Sequence, residues 1–175
     1  MDQDDCKETW TLADGSKLKL RHIAPTDAAK EQAFVHGLST QSSYFRFHGT
    51  IKDLSKKDLE KFTNPDSRNV VALVVLFIGK TSEEEIGVAR YVIDPDGVNC
   101  EFAIVVADTW QKRGIGTKLM NALIKHLQTS GVKQISGTVL KGNSAMRKFV
   151  KQLGFVETNT PDDPSILLVT KHLTD

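Results

Sequence analysis

The sequence predicts an α/β fold of the α+β kind, with a mixed central sheet of six to seven strands flanked by about four helices, all within one domain. Three observations predict it. Three stretches of strand character between residues 70 and 107 are joined by tight turns, which makes them antiparallel neighbours. A strand, an amphipathic helix and a second strand follow over residues 98–140, an order that sets the two strands parallel with the helix across one face. Apolar residues at helical spacing recur before and after this unit.

Taken in order, residues 9–23 alternate about Ala13-Asp14-Gly15, a short hairpin leading into a strand over 17–23. Pro25 opens a helix, with Thr26 and Asp27 at its start and Ala29, Ala33, Phe34 and Leu38 on one stripe. Residues 39–62 are polar and form one or two short helices. The second begins at Leu54-Ser55, with Asp58 three residues after the serine. Val70–Ile78 is continuous and β-branched, as in a strand buried on both faces. Gly79-Lys80-Thr81-Ser82 turns the chain into a strand over 85–93, and Asp94-Pro95-Asp96-Gly97 turns it back into one over 98–107. Ile115, Leu119, Met120, Leu123, Ile124 and Leu127 mark a helix that Gly131 terminates. Strands over 132–140 and 166–171 enclose a short helix over 143–153. The acidic runs Glu83-Glu84-Glu85 and Asp162-Asp163 are placed in loops, away from any site.

Composition narrows the function. The 175 residues are 39% hydrophobic, with 23 Lys and Arg against 22 Asp and Glu. A globular domain of this size buries roughly 70% of its unfolded surface and needs no disulfide or metal staple. The formal charge of +1 lacks the basic excess of a nucleic-acid binder or of a polybasic membrane anchor, so neither partner is expected. The apolar run Val70–Ile78 is about half of what a membrane-spanning helix needs. The first eight residues are acidic and polar where a signal peptide would be basic and then apolar, so the expected location is the cytoplasm. Cys6 and Cys100 then read as free thiols. His22, His36, His48, His126 and His172 show no ligand or triad spacing, and no metal is expected.

The sharpest feature is Gln111-Lys112-Arg113-Gly114-Ile115-Gly116-Thr117, between the end of a strand and the start of an amphipathic helix. Its glycines allow close approach to the backbone, and the first N–H groups of the helix are unpaired donors at the positive end of its dipole. Lys112 and Arg113 add full charges, so the segment suits an anion, best a phosphate or pyrophosphate. A dinucleotide fingerprint fails because Leu119 stands where its third glycine belongs. A Walker loop fails because the order is Gly116-Thr117-Lys118. A glycine-rich turn without a ligand is the alternative. On the strand over 98–107, one face carries Val98, Cys100, Phe102, Ile104 and Val106, and the other Asn99, Glu101, Ala103, Val105 and Ala107. The small Ala103 and Ala107 leave room for a ligand beside Glu101. A partly buried carboxylate there suits a general base, against the alternative of a solvent-facing strand glutamate.

Gln-x-x-Gly-x-Gly after a strand, then helix, strand, and Asn143 ahead of Leu153-Gly154-Phe155, resembles the GNAT superfamily of acyl-CoA N-acyltransferases over about residues 18–173. The resemblance implies that residues 111–117 cradle the pyrophosphate of coenzyme A. It also implies that the strand containing Ile104, Val105 and Val106 splays from its parallel neighbour to pair with the pantetheine arm, and that Asn143, with Met146 a turn further on, contacts that arm. An N-cap role for Asn143 and a core role for Met146 are the alternatives. Leu38-Ser39-x-x-Ser42-x-Tyr44-x-Arg46-Phe47, Leu54-Ser55, Phe62-Thr63 and Glu101-Phe102-Ala103-Ile104-Val105-Val106 are similar to the catalytic domain of bacterial protein lysine acetyltransferases. That likeness implies Glu101 as catalytic base, acetyl-CoA as cosubstrate and a protein lysine as acceptor. Tyr44, Arg46 and His48 would line the acceptor cleft, unless this segment is structural. A small amine as acceptor, or a sensor that binds acyl-CoA without transfer, are the rival functions, and a monomer or weak homodimer is expected. Many relatives carry a tyrosine acid three residues before Leu-Gly-Phe. Val150 stands there instead, leaving Tyr44, Ser144, water or no acid at all.

Overall fold

The computed structural model describes residues 8–49, 51–66 and 68–173, so Cys6 lies outside the described residues. Eight strands form one sheet in the order β1-β2-β3-β4-β5-β6-β8-β7, comprising β1 (Glu8–Thr11), β2 (Lys17–His22), β3 (Val70–Ile78), β4 (Glu83–Ile93), β5 (Asn99–Val106), β6 (Gln134–Leu140), β7 (Val156–Asn159) and β8 (Ile166–His172). Every neighbouring pair is antiparallel except β5 and β6. The helix between these two makes them parallel, as the order of elements requires. The helices are α1 (Ala28–Gly37), α2 (Thr40–Phe47), α3 (Lys56–Thr63), α4 (Ile115–Leu127) and α5 (Ser144–Gln152). None of the described helices is long and apolar enough to cross a membrane.

Two cores result, one on each face of the sheet. On the first, α4 buries Ile115, Leu119, Met120, Leu123 and Leu127 against Val71, Leu73, Tyr91 and Ile104, with Val150 of α5 and Phe155 beside them. Each such side chain stabilises the fold by about 1.5–3 kcal/mol relative to leaving it in water. The second core packs Phe34, Val35 and Leu38 over Val74, Leu76, Val88 and Val105. Ser39 and Ser55 cap α2 and α3, each accepting from the N–H three residues on.

Four expectations are corrected. The sheet has eight strands among the described residues instead of six to seven, because β7 pairs with β8 at an edge, where backbone bonding and the ion pair of Glu157 with Arg147, at 3.0 Å, hold Val-Glu-Thr-Asn in place without an apolar period. Glu83 and Glu84 extend β4 instead of lying in a loop, and Glu85 is buried at 3% exposure. The inward face of α1 holds Glu31, Phe34 and Val35, whereas Ala29 and Ala33 are exposed. Pro25 starts a short 3-10 turn, Pro25–Asp27, ahead of α1. There Asp27 is held by two 2.7 Å hydrogen bonds from Arg21 and one of 2.8 Å from the Ala24 N–H. Burial pushes the Asp27 carboxyl up, but these donors outweigh it and keep it below the usual value.

Candidate active site

β5 and β6 pair only over Asn99–Gln134, Cys100–Ile135 and Glu101–Ser136. Beyond Glu101 the strands part. A Cβ at Gly137 of β6 would stand 2.6 Å from the Phe102 ring, which itself packs on Phe155 with centroids 5.3 Å apart. Glycine there lets the ring lie directly on the β6 backbone where the ladder ends. The opened edge leads into a cleft of about 270 Å³ between α2, β5, β6 and the start of α5.

Glu101, Phe102, Ala103 and Ile104 line the cleft from β5, Thr138 and Val139 from β6, and Phe45 to His48 from the end of α2. Asn143 and Met146 close the remaining side. Asn143 is 8% exposed, and its Oδ1 accepts from the Met146 N–H at 3.2 Å, so it does cap α5. Its amide nitrogen donates to none of the described residues and remains available to a ligand in the cleft. Glu101 is exposed, a correction to the partial burial expected of it. On its face of the sheet its cross-strand neighbours are Val92 and Ser136, and its carboxylate bonds to no described residue.

The loop at the open end of β5 has backbone geometry suited to an anion. Lys112 and Gly114 both take left-handed backbone, at φ 62° and 82°. The first hydrogen bond of α4 runs from the Lys118 N–H to the Gly114 carbonyl at 3.1 Å, which leaves the N–H groups of Ile115, Gly116 and Thr117 without acceptors inside the helix. Other side chains of the segment are engaged by the protein. Gln111 donates to the Val106 carbonyl at 2.9 Å. Arg113 lies over the Trp110 ring at 4.9 Å and pairs with Asp14 at 3.1 Å, and Lys118 pairs with Glu8 over the Trp10 ring. Lys112 is the exposed cation that remains in the segment.

Residues 101–104, 46, 48, 143 and 146 thus meet in one cleft. Residues 111–117 sit at the far end of β5, and Val105 is buried in the core under α1. Tyr44 lies outside the cleft, 47% exposed, with its ring 6.4 Å from Phe45. Ser144 is exposed and Val150 fully buried, so neither reaches it. Thr138 and the Phe102–Gly137 contact were not singled out from sequence, and a glycine inside a strand was the available signal. Asp108, also unforeseen, accepts from the Ser39 N–H (2.9 Å), Ser39 Oγ (2.8 Å) and Ser42 Oγ (2.6 Å), fastening α2 to the anion loop. Burial raises its carboxyl, but the hydrogen bonds from Ser42 and Ser39 prevail and lower it.

Among the described residues one strand pair is parallel, splayed beside a cleft and followed by a helix start with unpaired N–H groups, an arrangement that accords with the acyltransferase class of mixed α/β folds. The chain belongs to the acetyltransferase (GNAT) family, whose sequence profile matches residues 29–155. It is 32% identical over 153 residues to the acetyltransferase PA5475 of Pseudomonas aeruginosa, covering 87% of this chain and 82% of that one. It is 30% identical to the acetyltransferase Pat of Mycolicibacterium smegmatis, over 81% of this chain but only 42% of Pat. In structure it matches the GNAT domain of S. lividans PAT with a TM-score of 0.88 at 25% identity, covering 99% of this chain and 100% of that domain. A cAMP-binding acyltransferase from Mycobacterium smegmatis aligns with a TM-score of 0.64 at 25% identity, over 97% of this chain and 48% of that protein. The chain therefore spans less than half the length of both mycobacterial proteins.

Proposed function

We propose that this chain, acting as one catalytic unit over residues 18–173, transfers an acetyl group from acetyl-CoA to the side-chain amine of a protein lysine. The observation that carries the reading is the unpaired Glu101 carboxylate at the point where β5 leaves β6, in the same cleft as the free Asn143 amide. Likeness to a PAT domain supports a related role. The anion loop suits the pyrophosphate of coenzyme A, and the unpaired edge of β5 suits the amides of its pantetheine arm. Acetyl-CoA brings the activated thioester, and much of the rate comes from holding it in place.

In the proposed reaction Glu101 takes a proton from the lysine ammonium, directly or through a water. The neutral nitrogen attacks the thioester carbonyl, the C–N bond forms, the C–S bond breaks and the thiolate leaves, while the second proton of the attacking nitrogen passes to solvent water. The backbone N–H near Ile104 stabilises the oxyanion on the way. With Tyr44, Ser144 and Val150 outside the cleft, the thiolate leaves with water as its proton donor or unprotonated, and a thiol that ionises at about 8.5, far more readily than an alcohol or water, tolerates this. We place the enzyme in the cytoplasm as a monomer or weak homodimer. The free, buried Cys100, whose thiol burial and then Asp94 push up to about 12, fits a reducing compartment.

Glu101→Gln is expected to lower turnover by about 10²- to 10⁴-fold with little change in coenzyme affinity. Thiol release with a lysine-bearing protein and then with a panel of small amines checks it. Turnover near that of the wild type removes Glu101 as base, and release with small amines alone removes the lysine.

A further inference from the structure

Two charges of opposite sign face the cleft, and transfer to a lysine requires only one of them. Glu101 stands on the β5 wall and Arg46 on the α2 wall. Arg46 is half-buried, with its guanidinium over the Phe47 ring at 4.8 Å, yet it makes no hydrogen bond or ion pair with any described residue, Glu101 included.

The surroundings do not neutralise it. Arg90 of β4 and Glu31 of α1 lie behind it at 7% and 3% exposure, with Arg90 Nη2 3.9 Å from Glu31 Oε1. Arg90 Nε and Glu31 Oε2 have no partner. Glu85 is equally deep, and burial, then Glu31 beside it, raises its carboxyl well above the usual range. The one carboxylate that acts on Arg46 is Glu31, which Arg90 also engages. Burial, then repulsion from Arg90, lowers Arg46 to about 10, so it is still a cation at neutral pH. The other titratable group at this end, His48, has Asp163 near it. A cation withdrawn from water without an anion is costly, and the open side of Arg46 is the cleft.

We propose that Arg46 is a carboxylate-binding subsite that reads an acidic residue beside the target lysine, with the amine directed to Glu101 and the acid to Arg46. The inference rests on the lysine reading of the acceptor. A guanidinium binds a carboxylate through two parallel N–H donors, which gives the subsite direction as well as charge.

Two capped peptides test it, each with one lysine, flanked on both sides by glutamate in one and by glutamine in the other. They are titrated by calorimetry into the protein saturated with coenzyme A. The glutamate peptide is expected to bind about 10- to 100-fold tighter, the advantage shrinking to about twofold or less in Arg46→Gln and returning only in part in Arg46→Lys, which restores the charge without the paired donors. Equal binding, binding of neither peptide, or a preference that survives in Arg46→Gln overturns the proposal. Thermal melting checks that Arg46→Gln is folded, and the comparison of peptides on the wild type stands without it. Free lysine against lysinamide forms a second pair, and a preference confined to it assigns the carboxylate to a small amine and overturns the peptide form. Thiol release is read separately. Acetylation of both peptides at equal affinity sinks the subsite alone, whereas a glutamate preference with no acetylation keeps the subsite and sinks lysine transfer.

Discussion

Gly114 holds left-handed backbone at φ 82°, and nothing lies within 4 Å of where its Cβ would stand. Its demand is purely conformational, since any L side chain fits the space but not the dihedral. Gly114→Ala is expected to cost about 1–2 kcal/mol in urea denaturation. It should also weaken coenzyme A binding several-fold in a titration, because relaxing the loop turns the N–H groups of residues 115–117 from the anion. Unchanged affinity would mean that the loop holds no phosphate. Lys112, at φ 62°, takes the same conformation with a side chain, so two left-handed residues, of which the lysine alone is strained, bracket Arg113. At this scale the positive charge foreseen in the loop is divided. Arg113 is taken up by Asp14 and Trp110, and the backbone with Lys112 remains to meet an anion.

Among the elements, α2 connects the two halves of the site. Its last turn lines the cleft, while its first turn is fastened through Ser39 and Ser42 to Asp108, at the start of the anion loop. A helix of eight residues is too short to be stable alone, so its position depends on such contacts. Asp108→Ala is expected to cost about 1–2 kcal/mol, as a charged acceptor is lost while the serine hydroxyls remain open to water. Amide hydrogen exchange should accelerate in Thr40–Phe47 well before it does in Ile115–Leu127. Uniform acceleration in both helices would show that the clamp stabilises the whole fold and does not position α2.

Across the whole molecule, the unusual feature is charge under α1. Glu85 has both carboxylate oxygens buried without partners, and burial followed by Glu31 raises it well above its ordinary 4.5. Between that ordinary value and the raised one, the folded protein holds a proton that the unfolded chain has released. Rising pH through this window therefore withdraws stability. Glu85→Gln keeps the shape and an amide donor but cannot ionise. Its stability relative to the wild type is expected to grow as pH rises from about 4.5 and to level off once the native carboxyl has ionised, as read from urea midpoints across pH. A difference that is constant across pH would show that Glu85 is not the titrating group. Asp27 works the opposite way, its lowered carboxyl giving up stability only as pH falls below the usual aspartate range.

What the chain determines by itself is what each segment buries. The strand Val70–Ile78, the α4 stripe from Ile115 to Leu127, the serine caps and the glycine-rich helix start are all legible, because each depends on residues within a few positions of one another. Edge strand β7 is not, since backbone pairing with β8 holds it and no apolar period marks it. The α1 stripe reads rightly at Phe34 and Leu38, which are buried, and wrongly at its two alanines. Spacing favours Ala29 and Ala33, but Glu31 turns inward, where β4 sets Arg90 3.9 Å from its carboxylate. Glu101 and Arg46 were both picked out as candidates, yet only the packing of α2 over the splayed end of β5 leaves both unpaired on opposite walls of one cleft. Local periodicity encodes burial of apolar surface. Whether a charge finds its counter-charge is settled by elements far apart in the chain, and so by the tertiary structure alone.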